Sequence, residues 1–92
     1  MFDGECDADN QILVYEGTGD NPGNTAAEKV AACSKACLTE KAPVDGKSWI
    51  HFVTKGFVVN PDGRCYCESA ASTCKRSNKN FKRYDWTSQL GL

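Results

Sequence analysis

Apolar and polar positions change period several times along the chain, and each change marks an element. Ile12, Leu13, Val14 and Tyr15 form a short apolar run between Gln11 and Glu16, the signature of a strand. Gly17 to Asn24 reads GTGDNPGN, a loop in which Gly, Pro, Asn and Asp supply turn conformations. It lacks the Gly-Lys-Ser/Thr ending of a phosphate-binding loop. Thr25-Ala26-Ala27-Glu28 is a capping box, and the Ala-rich sequence after it predicts a helix running to about Lys41, with Pro43 preventing continuation. Ala26, Val30, Cys33 and Cys37 fall on one helical face, with Glu28, Lys29, Lys35 and Lys41 largely elsewhere. Ser48 to Asn60 (SWIHFVTKGFVVN) is aromatic and β-branched and predicts one long strand, with Gly56 marking a bulge. Asn60-Pro61-Asp62-Gly63 is a turn, and Arg64 to Glu68 pairs back as the second strand of a hairpin. Phe81 to Trp86 alternates as a last, edge strand, and residues 1–10 form an acidic arm tied down by Cys6.

The cysteines turn these elements into a fold. Cys33 and Cys37 share a helix face about 6 Å apart along the axis. Cys65 and Cys67 share a strand face about 6.6 Å apart. The spacings match, so two side-by-side bridges can bolt a helix to a sheet. A short link over residues 42 to 48 makes the helix antiparallel to the first hairpin strand, hence parallel to the strand bearing Cys65 and Cys67. That favours Cys33–Cys65 with Cys37–Cys67, and leaves the nested pairing, Cys33–Cys67 with Cys37–Cys65, as the alternative. Cys6 and Cys74 then pair with each other. The expectation is an α+β fold, with one α-helix packed on a small antiparallel β-sheet and three disulfides, forming a single domain over residues 1–92.

Composition bears on compartment. With 92 residues, 40% of them hydrophobic, the chain buries only about 60–65% of its unfolded surface, and six cysteines supply stability that such a core lacks. Three bridges imply an oxidising setting: secreted, cell-surface or another oxidising compartment. The rival reading is a zinc site, but Cys65-x-Cys67 is too tight for a usual knuckle. No apolar stretch approaches the roughly 18–20 residues needed to span a bilayer. Met1 leads straight into acidic sequence with no basic or apolar leader, which points to a mature form or an excised domain. No Asn-x-Ser/Thr sequon with a permitted middle residue occurs.

The pattern resembles two families. The helical Cys-x3-Cys followed by strand Cys-x-Cys, from Cys33 to Cys67, resembles the cysteine-stabilised αβ motif of defensins and scorpion toxins, although the usual Gly-x-Cys on the first hairpin strand is missing. The stretch from Ala26 to Cys67 (AAEKVAACSKAC…SWIHFVTKGFVVNPDGRCYCE) resembles PAN/apple domains, with Cys6 and Cys74 as the outer pair. Apple domains usually carry a cysteine just before the first hairpin strand, where Ser48-Trp49 stands here. The resemblance implies a non-catalytic module that binds protein or carbohydrate.

Candidate chemistry is sparse. His51 is the sole histidine, read as a packed or edge residue in mid-strand, and bridged cysteines leave no thiolate to work with it. Asp3, Glu5, Asp7 and Asp9 alternate in the arm but do not fit an EF-hand loop. No catalytic, metal or cofactor site is expected. Charge is uneven, although the net charge is −1: the first 24 residues hold six acids and no base, and Lys75 to Arg83 hold five bases and no acid. Lys75, Arg76, Lys79, Lys82 and Arg83, interleaved with Tyr84 and Trp86, are the candidate binding residues, because bases beside aromatic faces suit sugars and protein hot spots. The Cys6–Cys74 bridge would set this run beside the acidic arm, neutralising both or making a two-signed surface. Trp49, Phe52 and Phe57 raise a second candidate, the sheet face turned away from the helix. Expected partners are a protein or a glycan, with self-association or a larger complex possible, and neither nucleic acid nor membrane insertion. The second reading is a structural or accessory subunit of a larger extracytoplasmic assembly. A secreted toxin ranks third, since near-zero charge does not suit membrane disruption.

Overall fold

The computed structural model describes residues 2–5, 11–17, 19–69 and 77–85, with backbone alone at positions 2, 3, 5 and 77–79. The elements are β1 (Phe2–Glu5), β2 (Gln11–Tyr15), α1 (Ala26–Leu38), β3 (Gly56–Val59), β4 (Cys65–Glu68) and β5 (Ser77–Asp85). The strands form one antiparallel sheet in the order β1-β5-β3-β4-β2. The fold is α+β, and α1 packs mainly over β3, β4 and β2.

Helix α1 begins as its capping box dictates. The Thr25 hydroxyl accepts the Glu28 N–H at 3.1 Å, and the Glu28 carboxylate accepts the Thr25 N–H at 3.1 Å. It ends at Leu38 rather than near Lys41. Glu40 takes φ 53°, the Glu40 N–H reaches the Cys37 carbonyl, and the Lys41 N–H reaches the Ala36 carbonyl at 2.9 Å. This is a Schellman stop with glutamate where glycine is usual, so the helix closes before Pro43 is reached.

The helix face is fixed by two bridges, Cys33–Cys65 and Cys37–Cys67, each with Cα atoms 5.6 Å apart. The pairing is the parallel one, not the nested one, and no cysteine is free among the described residues. The expected Cys6–Cys74 bridge lies outside them. Around the bridges Ile12, Val14, Ala36, Phe57 and Val59 close a core, with Val30, Trp49, Phe52 and Tyr84 packed against it.

Several expectations are corrected. The long strand over Ser48 to Asn60 is only Gly56–Val59. Residues 49–52 instead make a turn in which the Phe52 N–H bonds the Trp49 carbonyl at 3.0 Å and His51 adopts φ 64°. His51 is therefore exposed on a turn and belongs to no strand. The aromatics serve the core instead: Trp49 meets Phe52 edge-on at 5.4 Å, and its indole N–H bonds the Lys41 carbonyl at 2.8 Å. The connection from helix to β3 thus runs from 39 to 55 rather than over 42 to 48, yet it preserves the direction that sets the disulfide pairing. Gly56 is no bulge, since the β3–β4 register is regular from Gly56↔Glu68 to Val59↔Cys65.

Nor is β5 an edge. The N-terminal arm pairs with it as β1 (Phe2↔Arg83, Asp3↔Lys82), so β5 lies inside the sheet and the acidic and basic segments run side by side. The opposite edge, β2, is closed by loop groups. Val44 N–H bonds the Leu13 carbonyl at 2.8 Å, the Asp45 carboxylate takes the Leu13 N–H at 3.0 Å, and the ammonium groups of Lys41 and Lys47 take the carbonyls of Val14 and Gln11. These contacts occupy groups that would otherwise template a foreign strand.

Candidate functional site

Alternation along β5 sorts the predicted binding residues onto two faces. Lys82 and Tyr84 pair with Val59 and Phe57 and look toward the helix layer, while Phe81, Arg83 and Asp85 look away from it. The side of β5 facing the helix layer borders a groove. The groove holds about 180 Å³ and is lined by the first turns of α1 (Ala26, Lys29, Val30), the hairpin end (Val59, Asn60, Pro61) and β5 (Asn80, Lys82, Tyr84). It exists because α1 sits mainly over β3, β4 and β2, which leaves β5 at the margin of the helix layer.

The groove is mostly apolar with a polar rim. Val30 and Val59 belong to the core and its margin, and the Tyr84 ring stacks on Phe57 at 5.3 Å with planes 14° apart. The Lys29 ammonium reaches the Pro61 carbonyl at 3.3 Å and ties the helix to the hairpin turn. Asn21 fixes the same end. Its buried amide donates to the carbonyls of Gly63 at 3.0 Å and Lys29 at 3.2 Å, and its oxygen accepts the Gly23 N–H at 2.8 Å. Gly63 has φ 95°, and a Cβ there would sit 2.9 Å from the Asn21 Cβ, so glycine is required. Beside the groove, the backbone N–H groups of Asn24 and Thr25 hold the Glu28 carboxyl below its ordinary pKa. An aromatic face, small apolar walls and two ammonium groups suit an apolar ring or side chain next to an acidic or hydroxyl group.

The sheet face turned away from the helix is not an open apolar patch. Leu13, Val58, Phe81, Gln11, Glu68 and Arg83 are all buried there. Arg83, expected as a surface base, is fully enclosed: its Nη1 meets Glu68 Oε1 at 2.8 Å and its Nη2 meets Asp85 Oδ1 at 2.8 Å. Gln11 Nε2 donates to the other Glu68 oxygen at 2.6 Å. A guanidinium can be buried only when its charge is paired, and two carboxylates do this. Arg83 is therefore withdrawn from the binding set. Lys75, Arg76 and Trp86 lie outside the described residues, and Lys79 is described only as backbone in β5. Lys29, Val30 and Pro61, absent from the sequence-based set, belong to the groove. Helical spacing places Lys29 and Val30 on adjacent faces, but nothing in the sequence tells how far across the sheet the helix sits.

Comparison with protein-family models, curated proteins and solved structures finds no match to this chain. The two bridges formed in the core imply folding in an oxidising, extracellular-type environment. Among the described residues no helix is long and apolar enough to cross a membrane.

Proposed function

We propose that this chain is a secreted or surface-displayed, non-catalytic binding module that recognises protein or carbohydrate through the groove between α1 and β5. The observation that carries the reading is the placement of Lys82 and Tyr84. The sequence marks both as binding residues, and both line the one side of β5 that borders the helix margin. The groove takes a single side chain or a single sugar ring, with Lys29 and Lys82 at its rim to meet an acidic or hydroxyl group. The buried bridges and the closed β2 edge supply a rigid frame that costs little to organise on binding. The PAN/apple resemblance supports the same class of function.

A panel of immobilised neutral, uronic-acid and sulfated oligosaccharides, with a panel of acidic peptides, tests this. Binding by the native chain, reduced at least tenfold in Lys82→Ala and Tyr84→Ala and unchanged in Lys55→Ala, is the expected result. Binding that survives both groove substitutions would remove the groove from the account. A structural or accessory subunit is the second reading, favoured by the loop before β3, which leaves Ile50 and Val53 exposed at 74% and 68%.

A further inference from the structure

By size the groove between α1 and β5 admits a side chain or a sugar ring, but its hydrogen-bonding groups do not serve the two equally. The oxygens of the hairpin turn at its edge are engaged within the fold. The Pro61 carbonyl accepts the Lys29 ammonium at 3.3 Å, and the Asn60 carbonyl accepts the Gly63 N–H at 2.9 Å. The Asn60 side-chain oxygen accepts two N–H groups, from Asp62 at 3.1 Å and from Arg64 at 2.9 Å. What remains to spare is donors. An ammonium carries three, and Lys29 commits one of them to Pro61. The Asn60 amide nitrogen makes no hydrogen bond among the described residues. Lys82, on the β5 side, adds a second ammonium, a group that can only donate.

Charge points the same way. Lys29 and Lys82 line the groove, and among the described residues no acid does. Glu28, next to Lys29 in the chain, turns its carboxylate to the N–H groups of Asn24 and Thr25 at 2.9 and 3.1 Å. Between the two ammonium groups the walls are apolar, built from Ala26, Val30, Val59 and Pro61. The Tyr84 ring is fixed by its stacking on Phe57.

We infer that the occupant of the groove is a segment of a partner protein in which an apolar side chain stands next to a carboxylate. This rests on the reading of the groove as the binding site, and it decides between the two ligand classes which that reading includes. The apolar side chain sits against Val30, Val59 and Tyr84, and the carboxylate meets Lys29 and Lys82. A carboxylate only accepts hydrogen bonds, which matches a rim whose spare groups donate. Bonds from ammonium to carboxylate are also stronger than those between neutral groups. A sugar ring fails this match, because each of its hydroxyls donates as well as accepts. The Tyr84 hydroxyl and the Asn80 amide are the lining side-chain groups able to accept from it, fewer than the hydroxyls of a ring. A hydroxyl that leaves water without gaining an acceptor weakens binding.

The test is calorimetric titration of the oxidised full chain with end-blocked hexapeptides. One carries leucine followed by two glutamates, a second has glutamines in place of the glutamates, and a third has alanine in place of the leucine. A uronic-acid tetrasaccharide and a sulfated tetrasaccharide are titrated beside them. The leucine–glutamate peptide should bind about tenfold or more tightly than either other peptide and either saccharide. Lys29→Gln with Lys82→Gln should bring the glutamate and glutamine peptides to within about twofold of each other. Ala26→Phe, which fills the groove from an exposed position, should abolish binding. Equal binding of the leucine–glutamate peptide and either of its analogues, or no peptide binding up to about 1 mM, would overturn the inference. The groove reading fails separately. Saccharide binding that is tighter than peptide binding and is lost in Ala26→Phe would overturn the peptide assignment and leave the groove standing. Binding that survives Ala26→Phe would remove the groove itself, and the inference with it.

Discussion

The guanidinium of Arg83 lies over the backbone of Gly56, where any Cβ would collide with it. In that position it reaches Glu68 and Asp85 at 2.8 Å each. Glycine in β3 therefore provides the space for a buried ion pair on the neighbouring strand. Gly56→Ala should cost about 3 kcal/mol, the range for disturbing a buried pair, measured by urea denaturation. Arg83→Met should cost about 3–5 kcal/mol because it strands Glu68, and Arg83→Met with Glu68→Leu should recover a large part of that loss. A Gly56→Ala variant as stable as the native chain would show that Arg83 does not need the space.

Glu40 ends the helix at φ 53°, where a side chain is strained and glycine is not. Glu40→Gly should raise stability by about 1 kcal/mol, less the entropy glycine adds to the unfolded chain. Thermal denaturation of the two proteins decides this, and an unchanged or lowered midpoint would contradict the Schellman reading.

Cys33–Cys65 and Cys37–Cys67 close nearly the same loop, with sequence separations of 32 and 30. Chain-entropy arithmetic gives the first bridge about 3.7 kcal/mol and the second, added when only a few residues remain to be constrained, about 2 kcal/mol. Either pair replaced alone by alanine should cost roughly 2 kcal/mol, and both together roughly 6 kcal/mol. A double replacement that costs no more than the two single losses added together would show that each bridge acts independently.

Glu28 accepts N–H groups from Asn24 at 2.9 Å and Thr25 at 3.1 Å, and this lowers its pKa in the folded state. Its contribution is present above the unfolded carboxylate range and is lost as pH falls through the depressed folded value. Glu28→Gln should therefore be less stable than the native chain at neutral pH and indistinguishable from it toward about pH 2. Urea midpoints across pH measure this, and a difference that grows on acidification would contradict the cap.

The elements with local causes were legible in the sequence. The capping box, the Asn60–Gly63 turn and the matched cysteine spacings each follow from residues within a few positions of one another, and the structure holds all three. What was hidden depends on residues far apart. The aromatic run from Trp49 to Phe52 has strand composition, but its rings are used to cover the core and the helix end. Arg83 reads as one more base in a basic run until Glu68, fifteen positions away, is placed on the same sheet face. The same holds for the candidate site. Lys82 and Tyr84 were visible as bases and aromatics in alternation, whereas Lys29, Val30 and Pro61 join them only through the seating of the helix on the sheet.

The most direct test of the groove is an amide chemical-shift titration of the isotopically labelled, oxidised chain. The probes are the uronic-acid and sulfated oligosaccharides and the acidic peptides. Shifts caused by a binding probe should cluster on Ala26 to Val30, Val59 to Pro61 and Asn80 to Tyr84. Perturbations confined to other surfaces, or none with any probe, would contradict the groove as the binding site.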